Sequence, residues 1–256
     1  MQQQLIMVNG EKGGIGKTAM TRLLMEVHQR QSTFSSLHVI DSDTQDTFSE
    51  LIKKTGKQYN ITLDRIPIVT EDAVESGRSK NGVWGTDNIA VSISKSIAGA
   101  DKQVVVWNLP ANINSHFYMA ENISIADFLR AEYPDLKIKT IWIVDPTESG
   151  MQLLENEITI GYLPTSDNVL VAIPRYIAHD SGIEAHVNDY VGELNAENNK
   201  YSIMEIPKLR ATTINAYLQS TRFSTDANDP NKIYRLTLAK MWIEPAFDPL
   251  MTFLEA

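Results

Sequence analysis

Leu5-Ile6-Met7-Val8-Asn9-Gly10-Glu11-Lys12-Gly13-Gly14-Ile15-Gly16-Lys17-Thr18-Ala19-Met20 reads as an apolar strand, a glycine-rich turn and the first turn of a helix. That order is the context a phosphate-binding loop requires. Glycines let successive backbone N–H groups turn inward around an anion, and the helix amino end adds its partial positive charge. Lys17 is placed to reach the β- and γ-phosphates of a nucleotide, and the Thr18 hydroxyl to ligand Mg²⁺. A glycine-rich strand-to-helix turn without a ligand is the plain alternative, but it gives no packing reason for Gly-Lys-Thr at a helix start.

Outward from this stretch, short apolar runs recur with helical patterns between them, the signature of a mostly parallel sheet covered on both faces. Six principal strands are predicted: Leu5 to Asn9, Leu37 to Asp41, Val104 to Trp107, Ile138 to Val144, Val169 to Ile173 and Tyr201 to Ile206, with Ile61 to Ile68 as a short edge strand. Met20, Leu23, Leu24 and Val27 recur at helical spacing and predict an amphipathic helix from Lys17 to Arg30. Further helices are expected over Thr44 to Lys54, Asn88 to Ala98, Ser124 to Glu132, Glu148 to Ile158, Gly182 to Leu194, Thr212 to Gln219 and Asn231 to Leu254. Pro245 and Pro249 are expected to interrupt the last. Thr70 to Gly85 reads as a mobile surface loop. The expected architecture is one doubly wound α/β domain over residues 1–256 with a Rossmann-like, phosphate-loop NTPase sheet.

Strict spacing of the common phosphate loop would put glycine at position 11, where the chain has Glu11. The stretch instead resembles the deviant Walker A of the ParA/MinD family, here Lys12-Gly13-Gly14-Ile15-Gly16-Lys17-Thr18, in which a lysine opens the motif and glutamate or glutamine often precedes it. The resemblance implies ATP and Mg²⁺ as cofactors, with Glu11, Lys12, Gly13, Gly14, Ile15, Gly16, Lys17, Thr18 and Ala19 forming the nucleotide-binding stretch. It also implies an ATP-dependent homodimer, in which Lys12 reaches the phosphates held by a second subunit.

Val39-Ile40-Asp41-Ser42-Asp43-Thr44-Gln45 resembles the family's first switch, with Thr44 in place of proline. The resemblance assigns Asp43 to positioning the attacking water and Asp41 to the metal shell; capping of the following helix is the alternative for both. Val104-Val105-Val106-Trp107-Asn108-Leu109-Pro110 resembles the second switch, with Asn108 where aspartate is expected. An amide accepts a hydrogen bond from metal-bound water but adds no charge to balance Mg²⁺, so slow turnover is expected. Ile143-Val144-Asp145-Pro146-Thr147 resembles the segment before a helix near the dimer interface. Pro174, Arg175 and Pro207, ending the fifth and sixth strands, are the positions where relatives contact adenine.

The absence of cysteine excludes disulfides and cysteine-ligated iron–sulfur clusters, and with them the nitrogenase iron protein's activity. No apolar run approaches the roughly 18 residues that span a bilayer, and no signal peptide is evident, so no membrane association and a cytoplasmic location are expected. His28, His38, His116, His179 and His186 show no metal-ligand spacing. The acidic, proline-broken end of the chain is unlike a membrane-binding basic helix and is expected to pack on the body.

A net charge of −9 argues against a surface that is basic all round. Lys208, Arg210, Arg222, Lys232, Arg235 and Lys240 leave weak, nonspecific DNA contact open. The resemblance implies an ATPase switch that positions DNA through a centromere-binding or relaxosome partner, as do ParA-like proteins encoded beside plasmid mobilisation genes. Two other classes stand beside it: a nonhydrolysing ATP-binding module, suggested by Asn108 and Thr44, and a metabolic ligase resembling dethiobiotin synthetase, against which Lys12 speaks.

Overall fold

The computed structural model describes residues 3–10, 12–31, 34–68, 86–98, 103–111, 118–120, 123–161, 163–175, 181–207, 211–224 and 238–256. Strand β1 (Gln4–Asn9) leads through the glycine turn into α1 (Lys17–Gln31), followed by β2 (Ser36–Asp41), α2 (Ser49–Tyr59) and β3 (Ile61–Arg65). Then come α3 (Thr86–Ala98), β4 (Gln103–Asn108), the short β5 (Tyr118–Ala120) and β6 (Ile123–Ser124), and α4 (Ile125–Glu132). The chain continues through β7 (Lys137–Ile143), α5 (Glu148–Thr159), β8 (Asn168–Pro174), α6 (Ser181–Asn198), β9 (Tyr201–Ile206), α7 (Ala211–Gln219) and α8 (Glu244–Glu255).

Seven of these strands form one parallel sheet in the order β3-β2-β4-β1-β7-β8-β9. β5 and β6 pair antiparallel as a separate ribbon that the apolar pattern did not announce. β1 is central, with Gln4 to Val8 in register with Val104 to Asn108 on one side and Gln4 to Asn9 with Lys137 to Trp142 on the other. Successive residues along it feed opposite cores. Ile6 and Val8 join Met20, Leu23 and Val27 of α1 and Leu250 of α8, while Leu5 and Met7 join Ile93 of α3, Leu129 of α4 and Leu154 of α5. Both faces are therefore covered, which is why the strands read as nearly continuous apolar runs. This is the doubly wound α/β fold expected from the sequence. Its ligand crevice lies at the carboxyl ends of the strands where the winding reverses, here beyond β1 and its neighbours.

Six strand positions agree with the apolar runs to within a residue at either end, and β3 stands at the sheet edge as expected but stops at Arg65. Besides α6, which runs on from the expected Leu194 to Asn198, three helices differ. The second begins at Ser49, not Thr44, and runs to Tyr59; Asn60, at φ 54°, closes it in the left-handed conformation and donates its backbone N–H to the Gly56 carbonyl. At the end of the chain, Pro245 occupies the first turn of α8, where no amide hydrogen is needed, and the helix continues through Pro249 behind a π-turn over Ala239–Ile243. Residues 70–85 and most of the expected Asn231 start lie outside the described residues.

The third difference concerns α1, expected to be amphipathic but buried on almost every side, with Arg22 and Glu26 fully buried. What covers its outer face is the end of α7 and the segment after it. Arg22 donates to the carbonyls of Leu218 (3.2 Å), Ser220 (2.7 Å) and Arg222 (2.7 Å), and its guanidinium lies 4.4 Å from the centre of the Tyr217 ring. Glu26 accepts from the Ser224 backbone N–H and hydroxyl. Burial raises the Glu26 pKa, opposed by the Ser224 hydrogen bonds and the Arg22 charge. α8 packs on the body as expected. Lys139 donates to the carbonyls of Phe253 (2.8 Å) and Leu254 (3.0 Å), and Gln4 to that of Leu254 (2.9 Å), so β7 and β1 satisfy the last turn of α8.

Replacing Arg22 by Met removes the guanidinium from three partly buried carbonyls and leaves Glu26 with Arg30 alone as a nearby cation. The expected loss is about 3 kcal/mol or more, seen as a lower urea midpoint, with Arg22→Lys recovering part of it. A midpoint unchanged in Arg22→Met would show that the clamp contributes nothing.

Candidate functional site

The glycine turn leaves β1 in close contact with β7: a Cβ at Gly10 would stand 2.7 Å from the Ile143 carbonyl oxygen. Gly14 and Gly16 adopt φ of 76° and 114°, conformations that L side chains rarely take. A Cβ on Gly13 or Gly14 would meet nothing within 4 Å, so the cradle opens outward. The Lys17 ammonium is drawn into the turn, donating to the carbonyls of Gly10 (2.8 Å) and Lys12 (2.9 Å). Ile15 is buried beneath the loop, and Thr18 and Ala19 begin α1. A cavity of about 610 Å³ stands over this turn, lined by Gly13, Gly14, Gly16, Lys17, Thr18 and Ala19 on one side. Asp43, Thr44, Gln45, Thr47, Pro110, Ala111, Asn215 and Leu218 line the rest. Glu11 lies outside the described residues.

Lys12 is at the mouth of the loop, with its side chain 61% exposed, and its ammonium pairs with the buried Asp145 of the same chain. Asp145 is fixed by the turn after β7: the Thr147 hydroxyl donates to its carboxylate (3.2 Å) and then caps α5 by accepting from Gly150 N–H (3.2 Å). A Cβ at position 150 would overlap the Asp145 carbonyl at 2.0 Å, so only glycine allows this turn.

Asp41 and Asn108 end the adjacent strands β2 and β4 in register, and both are fully buried beneath the cavity. The Asn108 amide donates to Asp41 Oδ1 (2.9 Å), and its oxygen accepts from the Thr21 hydroxyl of α1 (3.2 Å). Asp41 Oδ1 also accepts from Asp43 N–H (3.3 Å), while Asp41 Oδ2 is buried without a hydrogen bond and lies 3.6 Å from Arg65 Nε. Burial pushes the Asp41 pKa up to about 6, against the pull of the Asn108 amide. The Trp107 indole donates to the Ser42 hydroxyl (2.9 Å), tying the two strand ends together once more.

Asp43 faces the cavity, and neither it nor Asp41 caps a helix; Asp46 accepts from Ser49 N–H (3.1 Å) in that role. What holds segment 41–46 is Arg65, from the edge strand. Its guanidinium donates to the carbonyls of Asp43 (3.0 Å) and Thr44 (3.4 Å) and pairs with Asp46 (3.4 Å). Sequence reading missed Arg65, because β3 carries no motif and meets the loop only through the fold. It missed Thr21, Asn215 and Leu218 for the same reason.

Pro174, Arg175 and Pro207 end β8 and β9 and do not line the cavity over the loop. Arg175 pairs with Glu184 of α6 and, through Nε, with Glu205 of β9 (3.0 Å). Among the described residues no group of three or more His, Asp or Glu is placed to hold a metal by itself. Mg²⁺ needs no such cage when phosphates and water supply most of its oxygens. Of the basic residues named from the sequence, Lys208, Arg210, Lys232 and Arg235 lie outside the described residues. No described helix is long and apolar enough to cross a membrane.

The raised Asp41 pKa makes a pH-dependent cost. The folded state holds this proton up to about pH 6 and the unfolded state only to the ordinary value of 3.8, so stability falls as pH rises through that window. Asp41→Asn removes the cost: relative to wild type, the nucleotide-free variant gains on the order of 2–3 kcal/mol between pH 4 and pH 7. Parallel denaturation curves at the two pH values check it, and curves that shift equally would refute the buried-charge assignment.

No protein-family model matches the chain, and no curated protein matches it in sequence. Among solved structures it is similar to FlhF complexed with GTP and Mg²⁺, with 10% identity and TM-score 0.44 over 82% of this chain and 66% of that one. A second similar structure is FlhF complexed with GMPPNP and Mg²⁺, with 12% identity and TM-score 0.42 over 80% and 67%. The chain thus spans about two thirds of the length of these structures. Similarities of that size assign it to no family, and the fold rests on the chain's own sheet order and glycine turn.

Proposed function

We propose that this chain is a Mg²⁺–ATP-dependent switch of the ParA/MinD kind. The observation that carries the reading is the open cradle between β1 and α1: two glycines in the left-handed region, a lysine held inside the turn and a helix amino end, all facing one cavity. In this reading the loop N–H groups and Lys17 bind the β- and γ-phosphates, and bound Mg²⁺ would spread their negative charge. The Thr18 hydroxyl would be its direct ligand, and Asp41 and Asn108 would support the water around it. Asp43 orients the water that attacks the γ-phosphate. Lys12 of each subunit serves the nucleotide of the other in an ATP-bound dimer, and slow hydrolysis resets the monomer. The work done is positioning or partitioning of DNA through a centromere-binding or relaxosome partner.

A second reading, a nucleotide-binding module that does not hydrolyse, is favoured by one feature. The Asn108 side chain is already bonded to both Asp41 and Thr21, so the position supplies structure where an aspartate would supply charge. Steady-state phosphate release separates the two: Asp43→Ala abolishes a rate in the first and has none to abolish in the second.

Lys17→Ala is expected to weaken ATP binding by two orders of magnitude or more in calorimetric titration, and unchanged affinity in the folded variant would sink the loop assignment. Lys12→Ala is expected to bind ATP but fail to shift from monomer to dimer in light scattering with Mg²⁺–ATP. A mass independent of nucleotide in the wild type would overturn the dimer.

A further inference from the structure

The cavity over the glycine turn has a wall that no motif announced, made by Asn215 and Leu218. They stand three residues apart on α7 and so share one face of that helix. The wall is rigidly backed. Tyr217, between them, is buried edge-on against Trp242 with ring centres 5.0 Å apart, under the Arg22 guanidinium. Arg22 itself, one turn into the helix that begins in the glycine turn, holds the Leu218 carbonyl. The phosphate cradle and the α7 wall are thus fixed to one another through α1.

The order of groups along the cavity gives the wall its role. Gly13 to Lys17 form the end proposed for the phosphates, Thr18 and Ala19 follow along the first turn of α1, and Asn215 with Leu218 line the same cavity, with the Leu218 carbonyl bound by Arg22 about one turn further along α1. A nucleotide whose terminal phosphates occupy the cradle has its base at the far end from them. Asn215 is exposed, and among the described residues no hydrogen bond holds its amide. A neutral amide offers one donor and one acceptor side by side, the pattern complementary to the adjacent N–H donor and ring-nitrogen acceptor of adenine. Leu218 supplies an apolar surface for the face of the ring. Among the described residues the only carboxylate lining this cavity is Asp43, with the switch segment. Of those lining the adjoining 500 Å³ cavity, Asp46 is held by Arg65 and Ser49, while Glu50 stands on the surface 3.9 Å from the Lys53 ammonium. Among the described residues of this cavity no carboxylate besides Asp43 is thus at hand for the two N–H donors on the edge of guanine.

We infer that Asn215 and Leu218 of α7 form the base-binding end of the nucleotide site and select adenine over guanine. This deepens the proposed function and rests on its reading of the loop. The test titrates the full chain with Mg²⁺ and, in turn, ATP, GTP and inorganic tripolyphosphate, which carries the phosphates without the base. In the wild type, ATP is expected to bind at least tenfold more tightly than GTP or tripolyphosphate. Asn215→Ala, an exposed change to a good helix former, is expected to weaken ATP binding about five- to tenfold and leave tripolyphosphate binding unaltered. Leu218→Ser is a second variant with the same expected pattern. ATP affinity unchanged in both variants, equal loss for ATP and tripolyphosphate, or wild-type preference for GTP would each overturn the assignment while leaving the loop in place. A wild type that binds neither ATP nor tripolyphosphate overturns the loop reading and this one with it.

Discussion

β1 lies between β4 and β7, hydrogen-bonded to both along its length and buried on both faces. A strand held from four directions cannot shift, so the residues leaving its carboxyl end start from a fixed point, and Gly10 must pass the Ile143 carbonyl with no room for a side chain. Everything that could handle a phosphate is placed by that constraint. The glycine turn projects above the sheet, α1 begins at its far side, and the ends of β2 and β4 bring Asp41 and Asn108 to the level below. Backbone groups make the cradle, and rigidity in the strand makes them usable, because N–H groups that need no rearrangement bind an anion without first paying to be ordered.

The sequence disclosed the parts of this arrangement that depend on local chemistry. Strands buried on both faces show as apolar runs, so the sheet was legible in Leu5 to Asn9, Val104 to Trp107 and their companions. The glycine turn was legible because positive φ demands glycine and a helix start tolerates Lys-Thr. What stayed hidden was held by contacts distant along the chain. Arg22 and Glu26 look like the solvated side of an amphipathic helix until residues 217–224 arrive to cover them. The segment after Asp41 reads as helical, yet Arg65 of β3 takes up its carbonyls and postpones the helix to Ser49. Asn215 and Leu218 belong to no pattern at all; only the return of the chain across α1 puts them opposite the loop.

The amide at position 108 has a packing role of its own. In a buried pocket beside Asp41, a second carboxylate would face the first at hydrogen-bond distance, and two such groups cannot both remain ionised. The amide turns that repulsion into a hydrogen bond and, through its oxygen, takes in Thr21 of α1 as well. β2, β4 and α1 are joined at one polar contact directly under the loop. If the proposed site binds Mg²⁺, the same atoms that join these elements would be less available to the metal.

The hydrogen bond from the Trp107 indole to Ser42 has an optical consequence. Trp107 is fully buried, its neighbour in sequence is Asn108, and its acceptor lies between Asp41 and Asp43. Any displacement of the segment that carries these two carboxylates must stretch or break that bond and change the polarity felt by the ring. The protein therefore carries a buried indole bonded to the segment between Asp41 and Asp43, and in a chain of four tryptophans its share of the emission would report a displacement of that segment.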